Sequence, residues 1–146
     1  MKTLLSLLVI IAALIAASPV QARNDVLTFP LADVMTSDKA KEALFDVPLY
    51  FAGEEHPAVT SSMGEITTSR KTNAFGKSDR EACEWVLLSA LKVLQDNAQK
   101  KGYDAVINIK SNYQHNEFAS ATEFQCGAGF LMAGVALKGE PVKFAQ

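Results

Sequence analysis

The residues predict an α+β domain in which a small antiparallel or mixed sheet packs against one long helix at about 79–101. Three observations carry this. Cys83, Leu87, Ala90, Leu94 and Ala98 recur at steps of four and three, the spacing of one helix face. Two β-rich runs follow that helix. Gly102 and a polar stretch from Ser111 to Ser120 separate these segments.

In chain order, the first segment is not part of the fold. Lys2 precedes an apolar run, Leu4 to Ala17, broken only by Ser6. Ser18 and Pro19 end the run, and Val20-Gln21-Ala22 offers a small-residue cleavage site before Arg23. This is the plan of a secretory signal peptide over residues 1–22. Fourteen helical residues rise only about 21 Å, short of a hydrocarbon core of about 30 Å, which argues against a retained span. The expectation is cleavage, no stable membrane insertion afterwards, and a mature chain of residues 23–146 in a periplasm or outside the cell. That mature part reads as a single α+β domain.

Residues 23–36 read as an extended start. Ser37 to Phe45 reads as a short helix capped by Ser37. Val47 to Ala52 is rich in β-formers, and Gly53 to Pro57 is turn chemistry. Gly64 to Thr68 is a candidate strand, with Ser69 to Asn73 a polar stretch after it. Ser78 and Glu81 form an S-x-x-E capping box at the start of the long helix. Val86 and Leu91 widen its apolar stripe, Lys100 and Lys101 suit its negative end, and Gly102 stops it. Trp85 lies off the stripe, at a core edge or a contact surface. Tyr103 to Lys110 reads as a strand, and Phe130 to Leu137 as another.

The chain carries 14 basic and 16 acidic side chains, a formal charge of -2. It therefore has no basic field for nucleic acid. Its two cysteines, Cys83 and Cys126, both fall in the exported part. An even count in an oxidising compartment favours a disulfide between them, against the alternative of two separately buried thiols. They are not in a C-x-x-C arrangement, so thioredoxin-type chemistry is not indicated.

Cys126-Gly127-Ala128-Gly129-Phe130 invites comparison with a phosphate loop, but Gly134 lies five residues beyond Gly129 among β-like residues, and G-x-x-x-x-G-K-[ST] is absent. Glycines in such a setting mark bulges or close backbone approach. Neither histidine lies in an H-x-x-x-H or Cys/His cluster, and no serine lies in G-x-S-x-G. His56, beside Glu54 and Glu55, and His115, near Glu117, are the candidate ligands for a divalent metal. Solvated loop residues are the plainer account of both. Arg70, Lys71, Thr72 and Asn73, with Lys77 and Arg80 nearby, form a polar segment ahead of the helix N-terminus. It could bind an anion there. A solvated loop with Ser78 capping the helix is the plainer account. Arg70, Lys71, Thr72, Asn73 and Trp85 make up the candidate binding surface.

Several of these stretches together resemble a family. They are Lys71 to Phe75, Lys77-Ser78-Asp79, Glu81-Ala82-Cys83, Leu88 to Leu91, Asp104 to Ile109, Cys126 to Gly129 and Ala133 to Gly139. The pattern resembles a group of small exported proteobacterial proteins to which the description "excinuclease ATPase subunit" is often transferred. That description does not fit a chain of 146 residues with an export signal and no phosphate loop. More distantly, helix–Gly–x–Asp-Ala-Val–strand–Cys–strand is similar to the YbjQ and RcsF-like fold. YbjQ-like domains carry a heavy-metal-binding label and form rings, so the resemblance allows a homo-oligomer. RcsF is a disulfide-bonded envelope-stress sensor acting through protein contact. This chain departs from it in having two cysteines rather than four and no lipoprotein cysteine.

The expectation is an exported, non-catalytic binding or envelope-associated interaction module, with an unidentified protein or small ligand as partner and no cofactor. The alternative is a metal-binding domain using His56 or His115 with carboxylates.

Overall fold

The computed structural model describes residues 23–146. The expected signal peptide lies outside the described residues. Strand β1 (Asp25–Pro30) leads into two short helices, α1 (Leu31–Met35) and α2 (Asp38–Ala43). Three strands follow: β2 (Leu49–Phe51), β3 (Val59–Ser62) and β4 (Ile66–Asn73). The long helix α3 (Asp79–Lys100) then precedes β5 (Ala105–Ser111), a 3-10 turn at Tyr113–His115, β6 (Glu123–Ala128) and β7 (Met132–Phe144).

The fold class is α+β, with a mixed seven-stranded sheet against one long helix. One path through the sheet runs β1-β6-β7-β5-β2, and β3 and β4 also pair with β7. All pairings are antiparallel except β2 with β5. β7 is the centre. Met132–Gly139 pairs with β4, and Val142–Phe144 pairs with β3. Pro141 lies where the outer partner changes, so its missing N–H falls at a break in the ladder.

Alternation along β7 sorts the two faces. Ala133, Val135 and Leu137 are buried in one cluster with Val86, Leu87, Ala90, Leu91 and Leu94 of α3. Gly139 belongs to the same face: a Cβ there would stand 2.8 Å from Val106 Cγ1 and 3.1 Å from Leu94 Cδ1. On β5 the alternation is broken on purpose. Asn108 takes φ 51, and the pairing register with β7 shifts between Ile107 and Lys110. This bulge returns Ile109 to the helix-facing core that Val106 also enters. Asparagine tolerates the left-handed conformation better than other chiral residues.

The helix start is half of the expected capping box. Ser78 Oγ accepts from Glu81 N–H at 3.1 Å. Asp79, in the first turn, supplies the negative charge that this end favours. Buried Gln95 clips the segment ahead of β2 to α3. Its Oε1 accepts from Phe45 N–H at 2.9 Å, and its Nε2 donates to the Phe45 and Val47 carbonyls at 2.9 and 2.8 Å. Cys83 and Cys126 form a disulfide with their Cα atoms 5.9 Å apart, inside the usual range.

Three expectations need correction. Residues 23–36 are not extended throughout, because Leu31 and Val34, at i and i+3, bury one side of α1. Ser69 to Asn73 is not a polar loop but the second half of β4, held by eight residue pairings with β7 from Ile66 to Asn73. The strand read over Phe130 to Leu137 starts two residues later and runs farther, from Met132 to Phe144.

Candidate functional site

The face of the sheet opposite α3 carries the most distinctive geometry. Gly127 of β6 pairs directly with Gly134 of β7. Two glycines side by side leave a patch of bare backbone. Tyr113 fills the space above it. A Cβ at position 127 would stand 2.0 Å from both Cζ and Oη of Tyr113, and one at position 134 would be 3.5 Å from its Cε2. The glycines in this stretch therefore serve close approach, of a side chain rather than of a phosphate.

The turn that positions Tyr113 is held from both ends. Asn112 N–H donates to the Ala136 carbonyl at 2.8 Å. Gln114 and His115 adopt φ 53 and 63, which reverses the chain within the 3-10 turn. Tyr113 O–H donates to Asn24 Oδ1 at 3.1 Å, tying the ring to the chain entering β1.

Tyr113 stands between two grooves. The first, about 650 Å³, runs past Lys71, Gly127 and Gly134 to Phe130, Leu131 and Met132. The second, about 810 Å³, is polar and is lined by Thr67, Ser69, Asn112, His115 and Lys138. The Lys138 charge in the second groove is already matched. Lys138 reaches Glu117 at 2.6 Å and Glu65 at 3.6 Å, and Lys110 reaches Glu117 at 3.7 Å and Glu65 at 3.4 Å. The Lys138 hydrogen bond, with Lys110 beside it, holds the Glu117 carboxyl below its ordinary range. Lys71, shared by both grooves, forms no ion pair with a described residue.

The first groove opens onto an apolar end of the molecule. Phe130 is 69% exposed, Phe75 61%, Leu131 58% and Met132 48%. The rings of Phe75 and Phe130 meet edge to face, with centroids 5.7 Å apart. Leu131 O accepts from Ala74 N–H at 2.8 Å, so the β4–α3 loop and the β6–β7 turn form one unit. Arg23 borders the same end. Its guanidinium pairs with Asp79 at 3.0 and 2.7 Å and donates to the Gly129 carbonyl at 3.1 Å. That hydrogen-bonded pairing holds the Asp79 carboxyl below its usual value.

The expected binding surface is divided by this arrangement. Strand alternation and pairing put Lys71 and Asn73 on the open face with Gly134 and Met132. Arg70 and Thr72 pair with Val135 and Ala133, on the helix-facing side. Trp85 belongs to neither group: it lies on α3 with Lys39 Nζ 5.3 Å above its ring. The helix N-terminus is not an open anion site, because Asp79 and the Ser78 cap already complement it.

The two histidines lie in different surroundings. His56 stacks on Phe144 at 6.3 Å, meets Tyr50 edge-on at 5.8 Å, and its Nδ1 lies 2.9 Å from the Pro57 carbonyl. His115 belongs to the polar groove. Among the described residues, no group of three or more His, Cys, Asp or Glu gathers where it could hold a metal ion. Nor is any helix among them long and apolar enough to cross a membrane.

Sequence reasoning passed over Tyr113, Phe75 and Leu131 as site residues. The available signals were two aromatics next to glycine, Phe75-Gly76 and Gly129-Phe130, the second followed by the apolar pair Leu131-Met132. No protein-family model, curated protein or solved structure matches this chain, so the site is defined by the chain's own residues.

Proposed function

We propose that this chain is an exported, disulfide-stapled binding module without catalysis, acting in the cell envelope, with a fold similar to that of YbjQ and RcsF. The observation that carries the reading is the open sheet face. Tyr113 lies on a glycine pair, Lys71, which has no ion pair among the described residues, stands beside it, and a groove of about 650 Å³ leads to exposed apolar side chains. Concave apolar ground with a few polar groups suits recognition. Large exposed apolar groups gathered at one place mark contact sites. The disulfide supports an oxidising compartment. The apolar run ahead of Arg23 supports export.

Site-specific photocrosslinking in intact cells tests this. A benzoylphenylalanine at Lys71 is expected to give discrete adducts, recovered from the periplasmic fraction with the mature chain starting at Arg23. The same probe at Lys100, at the far end of α3, is expected to give none. Equal adducts from both positions, or a chain that stays in the cytoplasm, would overturn the reading.

A further inference from the structure

We infer that the apolar end formed by Phe75, Phe130 and Leu131 docks on the surface of a bilayer containing anionic phospholipid. This rests on reading that end as part of the binding region and names what it binds.

The shape comes first. These side chains stand on two adjacent turns at the open end of the first groove, where Phe130 and Leu131 form part of its lining and each of the three stays more than half exposed. Of the other exposed large apolar side chains, Val26 is 48% exposed and Phe45, Val59 and Trp85 are each 38%. The turns are tied by their own hydrogen bonds. Asn73 Oδ1 accepts from Phe75 N–H at 2.9 Å, Gly129 N–H donates to the Met132 carbonyl at 2.9 Å, and Ala74 N–H is bonded to Leu131. Those amides are satisfied within the protein, so burying the turn in a headgroup layer does not strand them. Aromatic and aliphatic side chains on such a projection are suited to the boundary between headgroups and acyl chains.

The charge comes second. Lys71 and Lys77 lie beside the tip, with the Lys77 ammonium 3.2 Å from the Asn73 carbonyl. Among the described residues neither forms an ion pair. The acids at this end, Asp25 and Asp79, are both engaged by Arg23. A lysine without a carboxylate partner next to an apolar projection complements an anionic lipid surface.

The third observation is where the chain enters. Arg23 O lies 3.0 Å from where a Gly129 Cβ would be, so the chain joins the domain beside the tip. Residues 18–22 separate Arg23 from the apolar run ending at Ala17. That connection spans at most about 20 Å. While the run is held in a membrane, the tip is therefore held close to the same surface. After cleavage the tip alone retains the contact, which is a reversible interfacial attachment and not a span.

The test uses the protein as isolated from the producing cells, with its disulfide intact. An environment-sensitive dye is attached through Met132→Cys or, as control, Lys100→Cys. With vesicles of phosphatidylglycerol and phosphatidylethanolamine the dye at 132 is expected to shift to the blue, and the dye at 100 is not. Phosphatidylcholine vesicles are expected to give a weaker shift. Phe130→Ser with Leu131→Ser is expected to weaken partitioning at least about tenfold. Lys71→Gln with Lys77→Gln is expected to remove its salt dependence. These are surface positions, and an unchanged melting temperature shows that the fold is intact. The contrast between positions 132 and 100 holds whether or not residues 1–22 are retained. Equal shifts at both positions, or none at 132, would overturn the inference. So would a lipid-free shift at 132 that grows with protein concentration alongside a dimer mass, because a second copy would then cover the tip. Crosslinks from Lys71 that persist in any of these cases would leave the binding-module reading standing.

Discussion

The two faces of the sheet share the same strands and differ in what covers them. One face is closed by α3. Val135, Leu137, Val106 and Ile109 meet a helix whose contact residues are almost entirely buried, and a disulfide joins the two layers. The other face has two smaller covers: the Tyr113 ring lying on Gly127 and Gly134, and, farther along the sheet, a small cluster in which Tyr50 and Phe144 pack on Ala105, Ile107 and Val142. Glycine occurs on both faces for the same local reason, absence of room for a Cβ. The consequences differ. At Gly139 the crowding atoms belong to interlocked core side chains, and at Gly127 they belong to one side chain that can swing out to solvent. The first is a constraint on folding and the second is a constraint on the shape of a groove.

The strongest way to break the contrast is to open the closed face. Replacing Cys83 and Cys126 together with alanine removes a cross-link spanning 43 positions. Chain entropy sets the expected loss at about 4 kcal/mol, with a fall in Tm of roughly 15 °C. Thermal melting of the oxidised protein and the double variant measures it. An unchanged Tm would show that the bridge contributes nothing.

A matched pair of substitutions sharpens the comparison. Gly139→Ala forces a methyl against Val106 and Leu94, and is expected to cost about 1–3 kcal/mol in urea unfolding. Gly127→Ala is expected to cost less than about 1 kcal/mol, because Tyr113 leaves its position and the core is untouched. Its effect should appear instead as lost protection of Tyr113, read by iodination or by ring resonances. Equal costs for the two would mean that the open face is packed as tightly as the closed one.

The smallest effect concerns Asp79, at the junction between the closed core and the exposed tip. Arg23 keeps its carboxyl below the ordinary value, so the folded chain takes up that proton less readily than the unfolded chain. The stabilisation is therefore complete above the ordinary carboxylate pKa and is lost as pH falls through the lower folded value. Asp79→Asn is expected to make Tm fall less steeply between about pH 5 and about pH 2. Added salt should shrink the difference, because the pair is exposed. Superposable curves would show that the pair has no linked contribution.

Features set by local chemistry were legible in the residues. Periodicity, the Ser78 cap and Gly102 located α3 to within one residue, because each acts within one or two turns. The cysteine pairing followed from the even count and the expectation of an oxidising compartment. The second half of β4 was hidden because Arg70, Lys71 and Asn73 resemble a loop in composition. They are in a strand because β7 supplies a pairing edge for eight consecutive residues, a fact of topology with no local trace. β7 was read only as far as Leu137, since Gly139 and Pro141 look like breaks. Gly139 is required by crowding from Val106 and Leu94, and Pro141 is tolerated at the change of partner. The site was missed for the same kind of reason. Tyr113 reaches its glycines through positive φ at Gln114 and His115, residues that give no sequence warning.

The position of β7 at the end of the chain governs when the sheet can exist. β3, β4, β5 and β6 each pair with it, and β1 and β2 join only through β6 and β5. A chain emerging from its N-terminus can wind α3 early, since helices need only local bonds. It cannot assemble the sheet until the last strand, Met132–Phe144, arrives. Until then β3 and β4 have no partner, and the apolar stripe of α3 lacks Ala133, Val135 and Leu137 to pack on. The sheet is therefore completed in a late step, and a chain stopped at Ala128 keeps its cysteines, its helix and the β1–β6 and β2–β5 pairings but lacks the strand that joins them.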